Sequence, residues 1–445
     1  MFSLAQNYLT RGFWGDEAWT SLISQLPYLQ MLKTTAADFH PPAYYSIVEL
    51  VYKFLPPTEV VTRSISIAFY LLTLILVYKL ASEIKGKFFG TISTMVVAAN
   101  PIFFAYAFEA RNYTMFAFAA TGSIYFLVKL SEQFTKLRVL GFLFFSTLGI
   151  YTHYYMFFTL FAQGLYILFF DRKIFWKMAG LYTLIGVLYL PWLPFLLAQV
   201  KSVGQNYWIG TIDRRTHFEA LLRILGGEQQ NMFRPYLFGL SVVLIIIGII
   251  QHVARLHFEK PYILIWLWAV IPFILATLPG FKIDGFQVPF RPIFFWRYLI
   301  NASVPLSLVI IHTAQKFPKY VFTILIVFII VLSISIDFLT ISGYPYTFRQ
   351  VYQEKILKDI KLQDKLVTVL PSFAEVLYYR NRFGLKNELI VLPEGLVQFS
   401  GKSLLDAYAL NGKVKIDEVS EGRFFELRPG PSIVISDNSS QFSRL

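Results

Sequence analysis

The chain contains no cysteine, which excludes disulfides and thiolate metal sites and leaves the redox compartment unread. Charge is scarce too: 15% of the 445 residues are Asp, Glu, Lys or Arg, against 56% hydrophobic. That is too little polar residue to clothe a soluble globule, so the composition is that of a polytopic membrane protein. Acidic residues are the rarer sign, 27 against 40 basic, for a formal charge of +13. Such a balance suits anionic headgroups and phosphates without choosing between them. Internal repeats, low-complexity tracts and a phosphate-cradling glycine loop are all missing, so nothing points to a nucleotide or nucleic-acid partner.

What the chain has in quantity is aromatic residues, 18% of the total, and long apolar runs. Ten windows read as spanning helices: 63–82, 88–106, 110–130, 137–151, 154–170, 177–198, 235–253, 261–279, 297–313 and 319–340, each to be compared with the roughly 17–25 residues a span requires. A shorter run at 42–55 holds Glu49 and Lys53 and reads as a helix lying in the interface. Alternate connections are short and basic (Lys79, Lys85, Lys87; Lys129, Lys136, Arg138; Arg172, Lys173, Lys177; Arg255, Lys260; Lys316, Lys319), so they are expected on the cytoplasmic side. The opening segment, the turns at Glu109 and His153, the 199–234 and 280–296 connections and the tail then face outward, which predicts a plasma-membrane protein with an extracytoplasmic site. An outward start with no apolar segment before it leads to the expectation that one further transmembrane helix precedes Met1 in the natural protein; the upstream reading frame should encode about 20 apolar residues.

The chain divides on this reading into a first outer loop with interface helices (1–62), a helical membrane domain (63–343) and a small extracytoplasmic α/β domain (344–445). In the last, Gln350–Ile360 and Phe373–Arg382 read as helical. Leu366–Leu370, Glu388–Leu392, Val414–Val419, Phe424–Leu427 and Ile433–Ser436 read as strands. In the 199–234 connection, Phe218, Leu221, Leu222 and Leu225 recur at helical spacing, and Gly226-Gly227 ends the helix they predict.

The polar residues gather at one side. Asp16 and Glu17 lie between Trp14 and Trp19, with Asp38, His40, Pro41 and Pro42 following. Ionisable groups beside a membrane-embedded body are functional candidates. Outer connections are normally poor in arginine, yet Arg214, Arg215, Arg223, Arg234, Arg291 and Arg297 fall in them. A guanidinium's planar fork suits phosphate oxygens, although a solvated loop arginine is the plain alternative for any one of them. His40 either binds a substrate phosphate or sugar or shapes a rigid turn before two prolines, and His153 either reaches substrate or is simply buried at a helix end.

In order along the chain, Asp16-Glu17, His40-Pro41-Pro42, Arg63, Glu109-Ala110-Arg111-Asn112-Tyr113, Thr152-His153-Tyr154 and Arg297-Tyr298-Leu299 resemble the motifs of the GT-C class of membrane glycosyltransferases. The branch they resemble is that of the dolichyl-phosphate-mannose protein mannosyltransferase-like proteins, related to the lipid A aminoarabinose transferase. The likeness implies an all-α polytopic helical bundle with a small outer domain. It implies an enzyme that moves a sugar, a mannose-like hexose or a pentose, from a polyprenyl-phosphate donor to a protein, lipid or polysaccharide acceptor with inversion at the anomeric carbon. Such a transfer needs a base for the acceptor proton and a cation for the departing phosphate. Asp16 is the candidate base, with Glu17 and Glu109 as further catalytic carboxylates, Glu109 having a structural alternative as the partner of Arg111 at a helix start. His40, Arg111, Tyr113, His153, Tyr154, Arg291, Arg297 and Tyr298 are candidate substrate-binding residues. Asp16, Glu109 and His40 are of a type that suits a divalent metal ion, but they are not closely spaced and no metal is assigned. The competing class is a transporter or flippase of lipid-linked glycans, for which ionisable groups near the bilayer midplane are typical.

Overall fold

A computed structural model of the chain describes residues 7–206, 209–210, 212–255, 259–283, 286–287, 291–343, 345–395, 401–410 and 422–436. The chain forms two compact units. Ser64–Ser342 make one, and the residues up to Arg63 together with those from Gly343 onward make the other. The opening segment and the tail, read separately from sequence, therefore fold as one body.

Ser64–Ser342 is helical. Among the described residues five helices are long and apolar enough to cross a membrane: Glu59–Ala98, Tyr113–Glu132, Arg234–Gln251, Lys260–Thr277 and Lys319–Ser342. A sixth span arises if Arg172–Tyr189 and Leu193–Val203, bent by 78°, count as one. The chain is a multi-pass membrane protein. The difference from the ten expected windows has local causes. Glu59–Ala98 joins two of them through Lys85 and Gly86, whose backbones leave the helical region, Gly86 at φ 84°, a conformation that glycine tolerates at little steric cost. The second window is then broken again at Asn100-Pro101, where proline opens a new helix, Pro101–Ala107, and the Asn100 side chain accepts the Phe103 N–H at 3.1 Å as an N-cap. The windows at 137–151 and 154–170 are helices of 17 and 15 residues, Lys136–Thr152 and Met156–Phe170, shorter than the roughly 20 residues of an upright span. The window at 297–313 is a 3-10 stretch, Trp296–Ala302, followed by the helix Ser303–Ala314. The amphipathic helix of the long connection is Arg214–Gly226, opened by a capping box between Asp213 and Thr216 and closed by Gly227 at φ 89°.

In the second unit, three short helices, Gly15–Ile23, Tyr28–Ala36 and Ala43–Tyr52, join an α/β tail. The tail's helical run from Phe348 to Asp359 includes a π turn at Tyr352–Ile356. Among the described residues its sheet has four strands in the order Leu389–Leu392, Lys365–Val369, Phe424–Arg428, Ser432–Ser436; the first two pairings are parallel and the last antiparallel. Val367, Val369, Ile390, Leu392 and Phe424 form its core, in keeping with the β-branched, fully apolar pattern of strands covered on both faces. The helix Phe373–Arg382 has the bounds read from sequence. The strand expected at Val414–Val419 lies outside the described residues, and the helix Lys402–Ala407 was not anticipated.

Candidate active site

Asp16 and Glu17 are neighbours with opposite fates. Glu17 is completely buried and held by Arg63, also completely buried: Nε donates to Oε1 at 2.8 Å and Nη2 to Oε2 at 2.5 Å. The remaining Arg63 donors go to backbone carbonyls, Nη1 to Leu9 and Arg11 and Nη2 to Gly12. All five N–H groups of the fork are thereby used, and the Phe13 ring lies 5.1 Å from the guanidinium carbon. A buried ion pair is tolerable only with such complete satisfaction. Glu17 is therefore placed as an anchor, not as a group open to substrate, which corrects its reading as a catalytic carboxylate. Asp16, on the first turn of the same helix, stays partly exposed. Carboxylates in a first helical turn interact favourably with the unpaired N–H groups there.

Contacts from the tail fix this turn in space. The Phe13 N–H donates to Tyr379 Oη at 2.7 Å, and that hydroxyl donates to Glu59 Oε1 at 2.9 Å. Tyr378 Oη donates to the Pro57 carbonyl at 2.9 Å, and its ring lies 4.8 Å from that of Phe13. A Cβ added to Gly12 would stand 2.1 Å from Thr347 Oγ1, so only glycine permits the approach of the two segments there.

His40 joins the same unit. Its Nδ1 lies 3.2 Å from Oδ2 of Asp38, which is 3% exposed. With Nδ1–H directed at that carboxylate, Nε2 becomes the acceptor. The imidazole centroid is 6.0 Å from Trp19 and 6.3 Å from Tyr45. Trp19 stands three residues after Asp16 on the same helix and is buried, so His40 meets that helix through the indole. The partnership of Asp38 with His40 was missed from sequence, although the two-residue spacing was visible.

The other candidates belong to the membrane unit. Glu109 and Arg111 sit in the turn before Tyr113–Glu132, where the Arg111 N–H donates to the Glu109 carbonyl at 2.8 Å. Tyr106, unremarked in the sequence, is the hub: its hydroxyl donates to Glu228 at 3.1 Å, its ring lies 5.0 Å from Tyr113 and 6.0 Å from Trp296, and the charges of Arg297, Glu228 and Glu109 all reach it. Arg297 and Arg223 lie 3.8 and 3.9 Å from Glu228 Oε1. Both guanidiniums lie over the Trp296 ring, at 5.1 and 4.7 Å from its centroid, an arrangement favoured by the ring's negative face. They line a cavity of about 420 Å³ with Arg215, Glu219 and Phe295. Arg223 also pairs with Glu219, at 3.6 Å, so more than one carboxylate offsets these cations; their flat guanidiniums on an aromatic wall are of a type suited to a phosphate.

His153 is 7% exposed. It stacks on Phe116 at 4.8 Å, meets Tyr298 at 5.1 Å and Tyr113 at 6.5 Å, and accepts the Tyr155 N–H on Nδ1 at 3.1 Å. Tyr113, His153 and Tyr298 are thus one aromatic cluster, linked through Tyr106 to Glu109 and Arg297. Tyr154 is turned to other partners, its hydroxyl bonded to Gln199 and accepting from Trp192 Nε1 at 3.1 Å, and Arg291 is exposed. Among the described residues no group of three His, Asp or Glu side chains is placed to hold a metal ion.

The dolichyl-phosphate-mannose-protein mannosyltransferase family model matches residues 39–197. No curated protein matches by sequence. Among solved structures, ArnT from Cupriavidus metallidurans in the apo state aligns over 98% of this chain and 95% of its own at a TM-score of 0.65 and 11% identity. The same protein bound to undecaprenyl phosphate gives 0.66, with 98% and 97% covered, again at 11% identity. The oligosaccharyltransferase of Archaeoglobus fulgidus in the apo form gives 0.53 at 11% identity, over 96% of this chain and 71% of that one. At such identities the structural likeness is one of fold. The fold of the chain is similar to that of ArnT, and its residues 39–197 are similar to the dolichyl-phosphate-mannose-protein mannosyltransferase family.

Proposed function

We propose that the protein transfers a sugar from a polyprenyl-phosphate carrier to an acceptor hydroxyl on the outer face of the plasma membrane, with inversion. The observation that carries this reading is the division of labour between the adjacent carboxylates: Glu17 is consumed by Arg63, while Asp16 stays partly open on a rigidly held turn. In the reaction the acceptor oxygen attacks the anomeric carbon and its proton passes to the Asp16 carboxylate. The bond from that carbon to the phosphate oxygen breaks, and its electron pair leaves with the polyprenyl phosphate.

The membrane unit supplies a separate requirement, stabilisation of the anionic leaving group, for which Arg297 and Arg223 over Trp296 are suited. Glu109 and the Tyr113–His153–Tyr298 cluster are assigned to acceptor or sugar. The undecaprenyl phosphate in the ArnT structure of the same fold supports a polyprenyl phosphate as carrier. The outward orientation rests on the basic connections. Because native cysteine is absent, single cysteines at Gly86 and Lys173 should resist an impermeant thiol reagent in intact cells, and one at Gln205 should react.

The test of function is incubation of the chain in membranes with radiolabelled polyprenyl-phosphate sugars, mannosyl and aminoarabinosyl among them, followed by separation of protein, lipid and polysaccharide. Label entering one fraction, and failing to enter with Asp16→Asn, is the expected result. Equal labelling with and without Asp16 would overturn the assignment of the base.

A further inference from the structure

The helix that carries Asp16 begins without a side-chain cap. Its N-cap residue is Trp14, whose indole offers no acceptor, and the first N–H groups of any helix need partners from elsewhere. One comes from the tail. The carboxyl of Glu375, three residues into the helix Phe373–Arg382, accepts the backbone N–H of Gly15 and its own N–H. Its second oxygen, Oε2, points the same way, only 3.8 Å from where a Cβ of Gly15 would stand, and is sealed from solvent with no hydrogen-bond partner among the described residues. Asp16 follows immediately, close enough for its charge to act on Glu375.

Two carboxylates cannot share such a place cheaply, and an ionised oxygen buried without a donor is costly. A carboxylic acid has neither problem. We propose that Glu375 is a positioning residue for Asp16: one oxygen holds the first N–H of the helix that bears the base, and the other carries a proton that lets the two carboxyl groups lie side by side. The inference rests on the reading of Asp16 as the base.

The protonation states agree with this arrangement. Burial, reinforced by the Asp16 charge, pushes the Glu375 carboxyl up to about 8 from an ordinary 4.5, so it is neutral at neutral pH and loses its proton as pH rises through that value. Of the other charged groups on the elements packed here, Glu17 has Arg63, Arg349 donates to the Thr10 carbonyl, Lys365 pairs with Glu388 and Arg380 Nε donates to the Asn387 carbonyl, while Arg382 ends the helix that carries Glu375. Tyr379 on the same helix donates to Glu59. Above about pH 8 a second negative charge appears beside Asp16 and the donor disappears, so the turn is pushed apart.

The test uses the full chain, purified in detergent, with wild type, Glu375→Gln and Asp16→Asn. Infrared titration of the carboxylic-acid band, taken as wild type minus Glu375→Gln, should show one acid titrating near pH 8. The same band taken in the Asp16→Asn background should titrate about one pH unit lower, because the neighbouring charge is gone. Absence of the band, or a midpoint indifferent to Asp16→Asn, overturns the proposal. In the radiolabel transfer assay, wild type should lose turnover above about pH 8. Glu375→Gln, which keeps a donor but cannot ionise, should lose that alkaline limb at little change in KM, whereas Glu375→Leu should be slow at every pH. An alkaline limb that persists in Glu375→Gln also overturns it. If the infrared coupling holds but Asp16→Asn transfers sugar at the parent rate, the coupling of the two acids stands and it is the reading of Asp16 as base that fails.

Discussion

The two units hold their polar residues by different means. In the unit formed from both chain ends, the groups around Asp16 are fixed by partners far away in sequence: Arg63 for Glu17, Tyr379 for the Phe13 N–H, Glu375 for the Gly15 N–H. In Ser64–Ser342, Tyr113, His153 and Tyr298 are held by ring packing on the helix ends and turns that carry them. In the first, the Glu17–Arg63 charge pair is buried with all five guanidinium N–H groups used, while in the second charge is spread over aromatic faces beside a cavity. The first arrangement is brittle, because removing one partner strands another. The second is graded, since rings and guanidiniums can adjust.

Substitutions sharpen that contrast. Asp16→Asn keeps size and most hydrogen bonds but removes the base, so kcat should fall by about 10²–10⁴-fold with the melting temperature nearly unchanged. Parent-level turnover would move the role of base elsewhere, with Glu109 the next residue to test. Arg63→Met strands Glu17 in a dry site and orphans three carbonyls, so it should destabilise by about 3–5 kcal/mol. Thermal unfolding in detergent measures it, and Glu17→Gln should cost less because Arg63 keeps the carbonyls. Tyr379→Phe removes one hydroxyl between the Phe13 N–H and Glu59 and should cost about 1–3 kcal/mol, read as a lower melting temperature and faster cleavage in limited proteolysis of the opening segment. The mildest change belongs to the membrane unit: Arg297→Lys keeps charge and loses the fork over Trp296, and should slow transfer by about tenfold with no loss of stability. If Arg297→Lys melted as low as Arg63→Met, the contrast between brittle and graded would fail.

Much of this was legible in the sequence, for physical reasons. Apolar runs and turn residues are local, so the helix Phe373–Arg382 and the stop at Gly226-Gly227 follow from residues close by. The aromatic cluster of Tyr113, His153 and Tyr298 contains three residues singled out beforehand. What stayed hidden is pairing across long separations. The sequence names Asp16 as base and Glu17 as a further catalytic carboxylate; that Glu17 is held by Arg63, 46 residues on, is not visible in it. Glu375 reads as an ordinary acid in a first helical turn, where its charge suits the helix dipole, and nothing nearby reveals that it lies against Gly15. Arg423 offers a similar lesson. It binds both Asp359 and Asp364, 64 and 59 residues before it, a pairing that nothing close by in the sequence reveals.

A unit assembled from the two ends of the chain also imposes an order on biosynthesis. The segment ending at Arg63 leaves the ribosome about 280 residues before Gly343, a lag of roughly 15–60 s at ordinary translation rates. Throughout that interval the Phe13 N–H has no Tyr379 and the Gly15 N–H no Glu375. The candidate base is therefore set in place only after the segment carrying Glu375 and Tyr379 has been translated. A nascent chain that has not reached Phe373 has Asp16 without the scaffold that orients it, so the proposed site is incomplete until that segment is made.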